Sequence, residues 1–220
     1  MKKFLVLFFL VFSLPALAFS PPPEGAPAND LWGISKYAGF DFGIGLAKSD
    51  KGFANTDKRM NAVGGRIGAS YGYKFPFVRI GAEAGGAGAS QEFQTDLSRP
   101  NNDKFSFKAF YLMPHIFLEM DWPGYVVPYV GYAIGIGALS TKNEHYVMTS
   151  VWPPVTEQIR DSKIGIGKTS AIMLGARFSL TSWMYWNVFW REQNYGRIRI
   201  SKDNSNLISR EIAAGLVLKF

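Results

Sequence analysis

The sequence of 220 residues contains no cysteine. That excludes a disulfide framework and a lipid-modified amino-terminal cysteine. After residue 18 it has no uninterrupted run of 18 apolar residues, so no segment reads as a membrane-spanning helix. No amphipathic helical pattern stands out, and glycine is scattered where a helix would suffer. Histidine is scarce: His115 and His145 are the two in the chain. There is no metal-ligand cluster, no phosphate-binding loop and no nucleic-acid module. Neither a cofactor nor a nucleic-acid partner is expected.

The amino terminus has a processing signal. Lys2 and Lys3 precede the apolar run from Phe4 to Leu14, and Pro15-Ala16-Leu17-Ala18 has the small-x-small form of a cleavage site. This reads as a secretory signal peptide over residues 1–18, cleaved after Ala18. Its removal takes two lysines and no acid, so the formal charge falls by two from +7 to +5. Residues 19–30, with Pro21-Pro22-Pro23, read as a short proline-rich periplasmic spacer.

The remainder alternates with a period of two. From Leu207 to Phe220 the even positions are Ile208, Arg210, Ile212, Ala214, Leu216, Leu218 and Phe220, against small or polar odd positions. One face of that strand is greasy and the other is not. Seven more segments alternate similarly, giving strands at Trp32–Ala47, Asn61–Tyr73, Val78–Ala87, Phe105–Met120, Val126–Leu139, Lys168–Leu180 and Met184–Arg197. Connections near 74–77, 121–125 and 181–183 are tight, whereas 48–60, 88–104, 140–167 and 198–206 are long and polar. Long strands joined by alternately short and long connections are the pattern of an all-β, eight-stranded, antiparallel transmembrane barrel over residues 31–220, set in a bacterial outer membrane. Trp32, Phe75, Phe77, Trp122, Tyr125, Trp183, Trp186 and Phe220 gather at the short-turn end as an interfacial girdle. Lys36, Lys108, Glu192 and Arg210 fall on the lipid face. The last three lie near the outer rim, while Lys36 reads as deeper, which suggests snorkelling or a bulge.

A barrel of eight strands has an interior filled by side chains. Asp41, Arg66, Glu83, Arg191 and Glu211 point inward at comparable heights. Their signs alternate across adjacent strands in the order Arg191, Glu211, Asp41, Arg66, Glu83. They are expected to form a lumenal ionic belt. Two roles stay open for it, packing that fixes strand register, and the lining of a gated narrow pore for small or apolar solutes.

Pro128-Tyr129-Val130-Gly131-Tyr132-Ala133-Ile134-Gly135-Ile136-Gly137, Phe189-Trp190-Arg191-Glu192-Gln193-Asn194-Tyr195-Gly196 and the closing Gly215-Leu216-Val217-Leu218-Lys219-Phe220 resemble strands of small eight-stranded outer-membrane barrels of the opacity-protein, OmpA-membrane-domain and surface-antigen type. The resemblance covers roughly residues 31 to 220. It implies recognition of Phe220 by the barrel-assembly machinery, and a chain without the peptidoglycan-binding domain of full OmpA proteins.

Some barrels of this size modify lipid A, which needs a hydroxyl, a histidine and an acid within reach. His115 points inward above Glu119, and His115-Ile116-Phe117 lacks the His-x-Ser arrangement of the deacylases. His145 lies in the third long connection. The chain is therefore expected to be non-enzymatic, an envelope-structural or surface-interaction scaffold displaying four external loops. The third loop holds Met148 and Trp152 within an apolar knot before Pro153-Pro154, either a contact patch or a lid. The expected partners are outer-membrane lipid and lipopolysaccharide, the assembly machinery, and a host or surface ligand at the loops.

Overall fold

The computed structural model describes residues 34–49, 60–93, 103–120, 126–151, 154–200 and 203–220. Eight strands follow in order: β1 (Ser35–Ser49), β2 (Asn61–Lys74), β3 (Val78–Phe93), β4 (Asp103–Glu119), β5 (Val126–Val151), β6 (Pro154–Ser179), β7 (Met184–Ile200) and β8 (Asp203–Lys219). Each pairs with the next, and β8 returns to pair antiparallel with β1, closing the barrel. The end holding Phe220 and the 75–77 and 180–183 turns is called basal here, the opposite end distal.

Burial is inverted relative to a water-soluble domain. On β4, Phe107, Tyr111, Met113, His115 and Glu119 are buried, while Phe110, Leu112, Ile116 and Leu118 are exposed. Val63, Ile67, Phe110 and Ile136 are 60–67% exposed, whereas Arg66 and Arg191 are 2% and 0% exposed. Strand alternation puts one set on each face of the wall, and an outward apolar band of this extent is covered by lipid. The distal lumen is apolar, filled by Met60, Phe105, Phe107, Leu139, Leu207 and Tyr195, and charge is concentrated below it.

The ladders are continuous except where the chain itself forbids it. The β4–β5 pairing steps from Leu112↔Ile136 to His115↔Ala133, missing the rungs beside Pro114, which has no amide hydrogen to donate. The β7–β8 register shifts between Asn194 and Arg197 around Gly196, whose φ of 91° is a left-handed conformation that favours glycine.

Several expectations are corrected. In the expected connections 140–167 and 198–206, residues 140–151, 154–167, 198–200 and 203–206 are strand rather than loop. The β5–β6 ladder runs to Val151↔Pro154, and the β7–β8 ladder to Ile200↔Asp203. Polar residues on both faces are compatible with pairing once a ribbon stands clear of lipid, where no face has to be apolar. There Glu144 lies 3.5 Å from Arg160 across the ribbon and 2.6 Å from Lys142 along its own strand. β3 also extends six residues past Ala87, to Phe93. Lys36 is at the basal rim rather than deep, because its N–H and C=O bond Phe220 at 2.9 and 3.0 Å. No bulge accompanies it, since the β1–β2 register is unbroken. Glu192 and Arg210 on the outward face meet at 2.6 Å, so neither charge faces lipid alone. The signal region and spacer, Trp32, Trp122, Tyr125, Trp152 and residues 50–59 and 94–102 lie outside the described residues.

Candidate functional site

The inward positions of five strands place their charged groups in one layer at mid-height. Asp41 comes from β1, Arg66 from β2, Glu83 from β3, Arg191 from β7 and Glu211 from β8. Arg66 is the hub. Its guanidinium meets Asp41, Glu83 at 3.1 Å and Glu211 at 2.6 Å, and donates to the Tyr111 hydroxyl at 3.0 Å. Arg191 donates to both oxygens of Glu83 at 2.8 and 2.9 Å and to Gln193 at 2.9 Å, and lies 3.6 Å from Glu211. Tyr111 donates in turn to Glu83 at 2.9 Å.

The sequence order suggested a chain of pairs along the wall. The Arg191–Glu83 contact instead joins β7 to β3, four strands apart in a barrel of eight. The network is therefore a plug across the lumen. Two guanidinium groups face three carboxylates, and desolvated charges persist only when every one is answered. Gly68 provides the space: a Cβ there would lie 3.1 Å from Glu83 and 3.2 Å from Asp41.

A second ionic layer sits below, and reading the sequence had missed it. Glu119 lies 2.8 Å from Arg177, 3.4 Å from Arg79 and 3.8 Å from Lys74. The Arg79 guanidinium stacks 4.2 Å from the Phe117 ring centroid and 4.9 Å from that of Tyr37, and Arg177 lies 4.7 Å over Tyr185. Such contacts stabilise a buried cation without a further carboxylate. The signal was present, because Arg79, Glu119 and Arg177 occupy inward parity near the basal ends of their strands.

Between the layers Tyr37 hydrogen-bonds His115 Nε2, and the His115 ring packs edge-on against Phe117 at 4.8 Å. A cavity of ≈ 30 Å³ is lined there by Asp41, Ser70, Arg79, Glu83, His115 and Asn187. That volume admits about two water molecules and no larger solute. Among the described residues no cluster of three or more His, Cys, Asp or Glu is arranged to hold a metal ion. At the distal end, Met148 pairs through its backbone with Thr156, just before a register shift. Its side chain lies outside the described residues, as does Trp152.

Comparison with solved structures finds proteins to which this chain is similar. Neisserial surface protein A is 16% identical, with a TM-score of 0.56 over 86% of this chain and 99% of that one. The attachment invasion locus protein Ail of Yersinia pestis is 15% identical, covering 83% and 99% with a TM-score of 0.45. The outer membrane protease OmpT of Escherichia coli is 11% identical, covering 84% and 97% with a TM-score of 0.45. No curated protein matches the sequence. The family described as outer membrane protein beta-barrel domain matches residues 4–220. With its closed lumen of answered charges and its outward apolar band, this chain belongs to the outer membrane protein beta-barrel domain family.

Proposed function

We propose that this protein is a non-enzymatic surface scaffold, a rigid plugged barrel that holds distal hairpins and loops in place for contact with a host or surface ligand. The observation behind this reading is the cross-lumen network of Arg66, Arg191, Asp41, Glu83 and Glu211. It fills the interior at mid-height and ties opposite walls, the arrangement expected of a support rather than a passage. A rigid frame displaying variable connections is a binding device, and the β5–β6 ribbon extends well past the apolar band. The non-enzymatic reading is supported by His115, whose ring is engaged by Tyr37 and Phe117. Lipopolysaccharide is the surrounding partner in this proposal, and the β8 strand ending in Phe220 is the segment the assembly machinery reads.

Two measurements test it. Refolded protein in planar bilayers is expected to be electrically silent. Trimming the distal hairpins and loops is expected to abolish binding to host cells or matrix with heat resistance on gels unchanged. Stepwise openings that change in Arg66→Ala would instead make the network a gate, and the narrow-channel reading would replace this one.

A further inference from the structure

The outward face of β6, β7 and β8 turns polar within a surface that is apolar around it. Towards the distal end, Leu174 and Ile172 on β6, Trp190 on β7 and Ile212 on β8 are exposed apolar residues. They give way to Ser170 and Lys168, to Glu192 and Asn194, and to Arg210. The ladders hold this group together through Ser170↔Asn194 and Glu192↔Arg210. The flanking strands do not change with it. Ile136 of β5, the partner of Lys168, and Leu46 of β1, the partner of Arg210, are apolar and exposed. Along β6, Ile166 and Ile164 follow Lys168 distally and are exposed as well. The polar group is therefore a notch in the apolar wall rather than the line where lipid ends.

Arg197 joins the notch through the β7 bulge. Between the Asn194↔Ile208 and Arg197↔Asn206 rungs, β7 has two residues where β8 has one. The extra residue reverses the alternation. Arg191, Gln193 and Tyr195 are buried on the inward side, whereas Arg197 is exposed and opposes Asn206 on the outward side. The bulge is fixed by two hydrogen bonds: the Gly196 N–H donates to Asn194 Oδ1 at 2.8 Å, and Thr169 Oγ1 donates to the Asn194 carbonyl at 2.8 Å. A Cβ at Gly196 would lie 2.6 Å from the Lys168 carbonyl oxygen. The backbone that carries Arg197 thus packs on that of Lys168.

Charge decides the occupant. Arg210 is answered by Glu192, but Lys168 and Arg197 have no acid within ion-pair distance among the described residues. Three cations against one carboxylate leave the notch positive. A cation on the lipid face is costly in hydrocarbon and is tolerated at the headgroup level, where an anion can answer it.

We propose that the notch binds the headgroup phosphate of a lipid in the distal leaflet, lipopolysaccharide in the scaffold reading above, on which this site rests. The phosphate lies between Lys168 and Arg197, where charge-assisted hydrogen bonds are short and strong. Ser170 and the Asn194 amide nitrogen face the rest of the polar head, and the acyl chains run down Ile172, Trp190 and Ile212.

The test mixes the full-length barrel in detergent with bis-phosphorylated lipid A and counts retained lipid by native mass spectrometry. Lipid A stripped of its phosphates and inorganic phosphate as competitor are the controls. Lys168→Gln with Arg197→Gln is expected to lower lipid A affinity by about tenfold or more, with the barrel still heat-resistant on gels. Lys48→Gln with Lys108→Gln removes equal charge from exposed outward positions on β1 and β4, and is expected to change affinity by less than about twofold. Equal losses in the two double variants would overturn the proposal in favour of a diffuse basic rim. Unchanged affinity in Lys168→Gln/Arg197→Gln, or equal retention of the dephosphorylated lipid, would overturn it too. Displacement of the lipid by millimolar inorganic phosphate would make a free anion the ligand and reject the lipid. The scaffold reading has separate readouts, electrical silence and loss of ligand contact on trimming the distal segments. Neither double variant is expected to alter them, so that reading can stand where this site falls.

Discussion

Arg66 has a fully buried side chain and touches acids from three strands. Truncating it strands Asp41 and Glu211 without equivalent partners in the interior, which costs about 3–5 kcal/mol. Arg66→Ala is expected to lower the urea midpoint of the refolded barrel accordingly. Arg66→Lys should rescue only part of the loss, because one ammonium cannot reproduce a planar fork shared among several acceptors. Gly68→Ala addresses the same network from the opposite direction. Its methyl would press on Glu83 and Asp41 within 3.2 Å, and an overpacking loss of about 1–3 kcal/mol is expected. If Gly68→Ala melts like wild type, the network has more slack than its distances imply.

At the scale of elements, the distal part of β5 and β6 behaves as a separate ribbon. Beyond Lys104↔Glu144 the β5 strand has no further rung to β4. Replacing residues 146–158 with a short Asn-Gly turn is therefore expected to leave barrel stability within about 0.5 kcal/mol of wild type, read from thermal unfolding. Glu144 on this ribbon has its carboxyl held below the ordinary carboxylate range, first by the hydrogen bond from Lys142. A lowered value means its contribution is present above the ordinary range and lost as pH falls through the lowered one. NMR titration of the Glu144 side chain should show that midpoint, and Lys142→Ala should raise it. The strands that cross the apolar band were legible from alternation, because lipid outside and charge inside impose opposite chemistry on neighbouring residues. The ribbon was not, since in water neither face needs to be apolar. Its remaining signal was β-propensity, in Thr141, Val147, Thr149, Val151, Val155, Thr156 and Ile159. The mid-height charges were legible by parity and height. Their cross-lumen partners were not, because side chains reaching from β7 to β3 depend on barrel closure rather than on strand adjacency.

For the molecule as a whole, closure depends on one seam. β1 and β8 pair from Tyr37↔Lys219 to Ser49↔Leu207, and Phe220 adds two main-chain bonds to Lys36. Deleting Phe220 is expected to remove those bonds and lower the fraction of heat-resistant barrel recovered in the outer membrane, with little effect on amount exported. The seam also has a consequence in time. Its two strands come from opposite ends of the barrel sequence, so the first must wait, with an open edge, for nearly all the others. Such distant pairings form slowly, and a waiting edge invites the wrong neighbour. Cellular yield should therefore follow how well the waiting chain is chaperoned more closely than how stable the finished barrel is.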